Sequence, residues 1–423
     1  MSEDTFLSDE FLQQITAAGE ADILAGVPTL NNARTIERTV RAIQVGLVKY
    51  FPRQRAAIVI SDGGSRDGTL NLVKSIAPPD FRTMLAAPPL RTMHTLATPH
   101  RAIWGRGGAF RTIFAAADLL RVKACTVISP DLESMTPEWI EGLIRPIYRE
   151  NVDFVAPIYL RHKFDGLLLK QILSPLIAAA YGYEIQEPYG GELAFSGRLA
   201  AQYMNEDVFS KEFMRQGAEV WMTTTAMAGG FRLGQSFLGP KIHAPKSGGL
   251  DLAGTIQQVV GALFNCLETH QQFWMSRNQV EAVPVFGFEN DMELPAVRVD
   301  RKRMFQMFQT GVQELASVHD LILSPDTLQR IREIAKLSDR EFCLPDDLWV
   351  KTVYEFAASF HHSVINRDHI LQALTPLYRG RISSFLHENH EAGITDLGEK
   401  LKALRLQYQQ SKSYLIERWS ASA

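Results

Sequence analysis

Short β-rich runs alternate with helical stretches across the first 160 residues of this 423-residue chain, and that alternation is what most restricts its fold. Residues 22–28 (DILAGVP), 57–61 (AIVIS), 124–129 (ACTVIS) and 153–159 (DFVAPIY) read as strands. Between the first two, Ile36, Val40, Ile43 and Leu47 recur at helical spacing. After the second, Asp67 or Thr69 starts a helix whose buried stripe is Leu70, Val73 and Ile76. Strand–helix alternation of this kind predicts an α/β fold with a mostly parallel sheet and crossover helices. From about Gln257 the pattern turns helical and Pro-punctuated, with a polar junction near residues 278–295. A chain of this length exceeds what one core supports, so two parts are expected, residues 1–256 and a helical C-terminal region, 257–423.

Composition narrows the class. With 46% hydrophobic and 22% charged residues and a formal net charge of -3, the chain has no electrostatic footprint for nucleic acid. Cys125, Cys266 and Cys343 are far apart and form no CxxC pair, which fits a reduced cytoplasm. The acidic, interrupted N-terminus MSEDTFLSDEFLQQ is no signal peptide. The most apolar stretch, residues 166–183, is broken by Lys170, Gln171 and Pro175; it is expected as a buried or interface helix and not as a membrane span. If it faces outward it implies a homodimer.

Ligands of open α/β sheets bind beyond the carboxyl ends of the strands. Those ends read Pro28-Thr29-Leu30-Asn31-Asn32, Asp62-Gly63-Gly64-Ser65 and Ser129-Pro130-Asp131, with Trp104-Gly105-Arg106-Gly107-Gly108 between strands. Short polar side chains, glycines that admit close backbone approach and an arginine in a glycine loop suit a phosphorylated nucleotide. The loop has neither the lysine nor the spacing of GxxxxGK[ST], and no GxGxxG follows the first strand, so kinase-type and nicotinamide-type readings are weak.

In order, PTLNNARTI, ISDGGSRDGT, WGRGGAFR and SPDLES resemble the nucleotide-site segments of family 2-like glycosyltransferases of the GT-A, Rossmann-like fold. More narrowly, PYGGELAFSGRLA, GAEVWMTT and GPKIH resemble the retaining enzymes that glycosylate glycerate or 3-phosphoglycerate. The match spans about residues 20–250, and the helical tail resembles the longer glucosylglycerate synthases. The resemblance implies that residues 1–256 bind nucleotide sugar and acceptor, and that 257–423 serve interaction, oligomerisation or closure of the site.

The same resemblance assigns roles. Pro28, Thr29, Leu30, Asn31, Asp62, Arg106 and Ser129 would contact the nucleotide sugar, and Asp131 and His243 would hold a divalent ion, Mg²⁺ or Mn²⁺. A Ser-x-Asp turn stands where the family has Asp-x-Asp; one carboxylate can suffice when phosphates and water complete the shell. Glu133 lies past that turn and reads as a surface or capping acid. Arg106 stands for a family lysine and keeps its charge, with Arg111 one turn on. Gly190, Gly191, Glu192 and Lys246 would face the acceptor, and Glu219 the sugar. Ala244 and Pro245 replace a basic, polar pair that follows the histidine in relatives with a phosphorylated acceptor, which favours D-glycerate. The implied activity is transfer of glucose from a UDP, GDP or ADP donor to D-glycerate, yielding a compatible solute. Mannosyl transfer, a 3-phosphoglycerate acceptor and a non-catalytic nucleotide-sugar-binding protein stand as alternatives.

Overall fold

The computed structural model describes residues 7–76, 93–99, 106–206, 214, 217–243, 251–289, 294 and 299–421, with backbone alone at 93–99 and 106. In chain order the elements begin α1 (Asp9–Ala18), β1 (Ile23–Thr29), α2 (Ile36–Tyr50), β2 (Ala56–Asp62), α3 (Thr69–Ser75), β3 (Met93–Pro99), α4 (Arg106–Leu119), β4 (Ala124–Val127), α5 (Glu138–Arg149) and β5 (Phe154–Leu160). A π-helical turn (Leu169–Leu173) then leads into α6 (Ser174–Tyr181), β6 (Tyr183–Glu184), β7 (Leu193–Ser196), α7 (Gly197–Met204), α8 (Ala218–Ala228) and β8 (Leu233–Pro240). After α9 (Leu252–Thr255) a second π-turn (Ile256–Val260) precedes α10 (Gly261–Thr269), α11 (Gln271–Ser276), β9 (Glu281–Ala282) and β10 (Val285–Phe286). The remainder is helical: α12 (Arg301–Glu314), α13 (Ala316–Ile322), α14 (Pro325–Ile334), α15 (Asp346–His362), α16 (Arg367–Glu388), α17 (Ile394–Gln410) and α18 (Lys412–Ser420).

Two compact units share these elements. The first comprises Met1–Leu160, Tyr189–Gly249 and Val283–Met292; the second comprises Arg161–Pro188, Leu250–Ala282 and Glu293–Ala423. The units therefore draw on interleaved segments, whereas the residue pattern suggested consecutive blocks.

An eight-stranded sheet of order β10-β8-β5-β7-β4-β1-β2-β3 forms the centre of the first unit. Pairing is parallel throughout except that β7 runs antiparallel to both β4 and β5. This is the mostly parallel α/β architecture that the alternation predicts. Strands buried on both faces must be apolar along their whole length, and β1, β2 and β4 are buried at every residue. On one face the stripe Ile36, Val40, Ile43 and Leu47 of α2 joins Trp139, Ile140, Leu143 and Ile144 of α5 in the core. On the other, α4 approaches β1 closely because Gly26 carries no side chain: a Cβ there would meet Ile113 Cγ2 at 2.5 Å. Val285–Phe286, inside the expected polar junction, adds an edge strand to this sheet.

Within the second unit, residues 166–183 form a π-turn and α6 instead of one regular helix. Ile172, Leu173, Leu176, Ile177 and Ala180 are all buried there. The outward-facing patch on which the homodimer expectation rested is thus packed inside the chain's own unit. Irregular winding leaves the Gln171 carbonyl available as a hub that accepts from Trp349 Nε1 and Tyr408 OH, both at 2.9 Å, while its side chain accepts from Arg381 Nε at 2.8 Å. Among the described residues no helix is long and apolar enough to cross a membrane.

Candidate nucleotide-sugar and metal site

The carboxyl ends of β4, β1 and β2 lie side by side in the first unit, since these neighbouring strands run parallel. Thr29 and Asp62 are register partners at the last position of their pair, and Thr29 Oγ1 donates to Asp62 Oδ1 at 3.0 Å. Asp62 also accepts from the Gly64 and Ser65 N–H groups at 2.9 and 2.8 Å and from the Ser65 hydroxyl at 2.5 Å. Four donors match the roughly four lone-pair sites of a carboxylate. Asp62 thus shapes the loop at the strand end where a nucleotide contact is expected of it.

That loop is laced to the one after β1. Asn31 N–H donates to Ser65 Oγ, Arg66 N–H to Asn31 Oδ1, Asn32 N–H to Thr69 Oγ1 and Ala33 N–H to Asp67 Oδ2, all within 2.8–2.9 Å. Asn31 sits at φ 56°, the left-handed region that asparagine tolerates better than most residues, and Gly64 at φ 93° needs glycine for the same reason. Burial pushes the Asp67 carboxyl up, but the Thr69 hydroxyl and the Ala33 and Thr69 N–H groups hold it below its ordinary value overall. Leu30 stands exposed at the tip beyond Pro28 and Thr29.

After β4 comes the Ser129-Pro130-Asp131 turn. Ser129 is buried, and its N–H donates to Glu192 Oε1 at 3.3 Å. Asp131 is partly exposed, and its Oδ1 lies 3.5 Å from His243 Nδ1, across 112 residues of chain. Leu132 and His243 form an isolated antiparallel bridge, Glu133 N–H donates to Ile242 O at 2.9 Å, and Ile242 N–H donates to Ser134 Oγ at 2.9 Å. Glu133 contributes its backbone N–H here.

The two expected metal ligands therefore meet. Ligand atoms about 2.1 Å from one ion and at about a right angle stand ~3 Å apart, close to the spacing seen. Among the described residues no three His, Cys, Asp or Glu side chains gather. A two-ligand protein site of this kind suits an ion whose remaining shell is phosphate and water, the usual state of Mg²⁺ with a nucleotide diphosphate.

A buried network that residue-pattern reasoning missed lies behind this pair. Lys241 Nζ pairs with Glu192 Oε2 at 2.7 Å and also donates to the Gly190 carbonyl, while the Tyr159 hydroxyl donates to Glu192. Lys241 lies over the Tyr159 ring, 4.5 Å from its centroid. Burial alone would push the Glu192 carboxyl up; the Lys241 charge and the donors from Lys241, Tyr159 and Ser129 outweigh it and hold the carboxyl low. Glu192, expected at the acceptor, is fully buried and is held within this network. The only signal in the sequence was a lysine two residues before His243. Gly191, at φ 88°, allows the approach, since a Cβ there would stand 3.0 Å from Lys241 Nζ and 3.4 Å from Ser129 Oγ.

Glu219 occupies the first turn of α8 and is fully buried, a place where the helix dipole favours a carboxylate. Arg111 lies on α4, one turn after Arg106. Arg106 begins that helix, but its side chain, like Trp104, Gly105, Ala244, Pro245 and Lys246, lies outside the described residues.

Residues 25–196 match the family model described as Glycosyl transferase family 2. The matched span, from β1 to the end of β7, runs through most of the sheet of the first unit. No curated protein matches the sequence. Among solved structures the chain is similar to glucosyl-3-phosphoglycerate synthase from Mycobacterium tuberculosis in complex with phosphoglyceric acid, at 18% identity, covering 62% of this chain and 84% of that one with a TM-score of 0.42. The same enzyme in complex with Mn²⁺, uridine-diphosphate and glucosyl-3-phosphoglycerate is similar at 21% identity, covering 60% and 83% with a TM-score of 0.42. At these values the likeness does not extend to substrate.

Proposed function

We propose that residues 1–256 carry a metal-dependent, retaining glucosyltransferase that moves glucose from a nucleoside-diphosphate donor to D-glycerate. The observation that carries this reading is the 3.5 Å approach of His243 to Asp131 beyond the carboxyl end of β4, beside the laced loops after β1 and β2. Thr29, Leu30 and Asn31 on the first loop, and Ser129 on the turn, bind the nucleoside; Asp62 holds the loop in shape. Asp131 and His243 hold a divalent ion, which neutralises charge on the leaving diphosphate when bound. Imidazole in the pair favours Mn²⁺ over Mg²⁺. Arg106, with Arg111, adds a guanidinium to that charge.

In the reaction the C1–O bond to the diphosphate breaks on the face where the acceptor hydroxyl adds. The hydroxyl proton passes to the departing phosphate oxygen, so no protein base is demanded. Glu219 orients sugar hydroxyls. The Gly190-Gly191 backbone admits the glycerate carboxylate, as unobstructed peptide groups can, and Lys246 is the nearest candidate cation in sequence. Mannosyl transfer and a 3-phosphoglycerate acceptor are the competing substrate assignments.

The deciding experiment pairs UDP-, GDP- and ADP-glucose and GDP-mannose with D-glycerate and with 3-phosphoglycerate, in Mn²⁺ or Mg²⁺. Turnover of a glucose donor with D-glycerate supports the assignment. Exclusive use of mannose or of 3-phosphoglycerate renames the enzyme, and no transfer from any pair rejects it.

A further inference from the structure

A cleft of about 410 Å³ lies inside the second unit, walled by α12 and α16 and touched by Ala253 of α9. Helix α12 comes close to α16 because Gly311 faces Pro376, and Gly380 faces the Phe308 ring; a Cβ at either glycine would collide. Pro376 stands inside α16, so the carbonyl of Gln372 loses its ordinary helical donor.

Three observations point to a ligand. Thr375 lines the cleft at 4% exposure, and its buried hydroxyl has no hydrogen-bond partner among the described residues. Natural proteins rarely leave such a group unmatched. The Arg379 guanidinium also lines the cleft, and no carboxylate among the described residues pairs with it; its strongest charged neighbour is another cation, Arg303. Burial and then that like charge lower the Arg379 pKa. A guanidinium that lines a cleft with no carboxylate paired to it is stabilised by an anion placed there. Finally, Gln306, Thr310, Glu314 and Gln372 supply neutral and acidic hydrogen-bonding groups along the same lining, of the kind that match hydroxyls.

We propose that this cleft is a binding site for a small polyhydroxylated anion, a sugar phosphate or sugar acid, whose oxyanion takes Arg379 and the Thr375 hydroxyl. The volume fits one sugar-sized molecule, at the low end of ordinary ligand pockets. This site is separate from the donor residues of the first unit and stands whether or not the activity proposed above is correct.

The test is calorimetric titration of the full chain with glucose 6-phosphate, gluconate and inorganic phosphate, repeated in Arg379→Gln and Thr375→Val. Saturable binding of glucose 6-phosphate or gluconate below ~1 mM is expected, and which of the two binds tells phosphate from carboxylate. Arg379→Gln should weaken it at least ~10-fold and Thr375→Val at least ~3-fold, the scale of a charge-assisted and a neutral hydrogen bond. Both variants should fold: Arg379 is only half-buried, and valine replaces an unmatched hydroxyl with a group of the same shape. No saturation by either sugar anion, binding of inorganic phosphate alone, or smaller losses in either variant overturns the proposal.

Discussion

The Lys241 ammonium lies 2.7 Å from Glu192 Oε2, with only 5% and 0% of the two side chains exposed. A charge pair so fully removed from water persists only when its remaining valences are met, and Tyr159, Gly190 and Ser129 meet them. The pair joins β7 to the end of β8, two residues before His243, and holds the turn that presents Asp131. Under the proposed function it would act as a positioning device for Asp131 and His243.

Breaking it should cost more than an ordinary surface ion pair. Lys241→Met leaves Glu192 buried and uncompensated, so about 3–5 kcal/mol of stability should be lost, read as a fall in the urea midpoint. Because Lys241 is argued to act through Asp131 and His243, Mn²⁺ affinity measured by calorimetry should fall too. An unchanged Mn²⁺ affinity in a folded Lys241→Met protein would contradict the positioning role.

Glu192 also fixes a pH dependence. Its folded-state pKa lies below its ordinary value of about 4.3, so the stabilisation is complete above that pH and is lost as the pH falls through the lower folded value. The wild type should therefore lose stability on the acid side more steeply than Glu192→Gln, which has no such proton to take up. Parallel acid-side curves by circular dichroism would show that other carboxylates dominate.

Gly191→Ala tests the same network through the backbone. At φ 88° alanine is strained by about 1–3 kcal/mol, and its methyl presses on Lys241 Nζ and Ser129. The expected result is a lower Tm together with reduced transfer. Retention of both at the wild-type level would remove the constraint assigned to this turn.

The proposed acceptor rests on Ala244 and Pro245, which by the resemblance stand where relatives with a phosphorylated acceptor carry a basic, polar pair. D-Glycerate should be used with a kcat/KM about 10²-fold above that for 3-phosphoglycerate, the worth of lost charge-assisted hydrogen bonds. A preference for 3-phosphoglycerate that disappears in Lys246→Ala would show that the phosphate partner had moved to Lys246.

The grouping of these residues was partly legible in the sequence, for a physical reason. Strand ends in a parallel sheet converge, so Thr29, Asp62 and Ser129 could be grouped from the strand pattern alone, and motif order linked Asp131 to His243. The Tyr159–Glu192–Lys241 network was not legible, because its members are 33 and 49 residues apart in sequence and a buried charge pair has no periodic signature. The four bonds on Asp62 were equally hidden, because they arise from how its loop folds back and not from any spacing. The antiparallel β7 and the assignment of Arg161–Pro188 to the second unit depend on chain topology, to which local spacing is blind. The apolar run 166–183 was correctly read as buried, but the π-turn that frees the Gln171 carbonyl follows from its partners Trp349 and Tyr408, far along the chain.

The central claim is that Asp131 and His243 together hold the ion that drives glucose transfer. Its most direct test is the initial rate of transfer from a nucleoside-diphosphate glucose to D-glycerate, with saturating Mn²⁺ or with chelator, in the wild type, Asp131→Ala and His243→Ala. The account predicts that chelation and each substitution lower the rate by about 10²-fold or more, since the ion stabilises the leaving diphosphate by several kcal/mol. Full wild-type turnover in the presence of the chelator would contradict it.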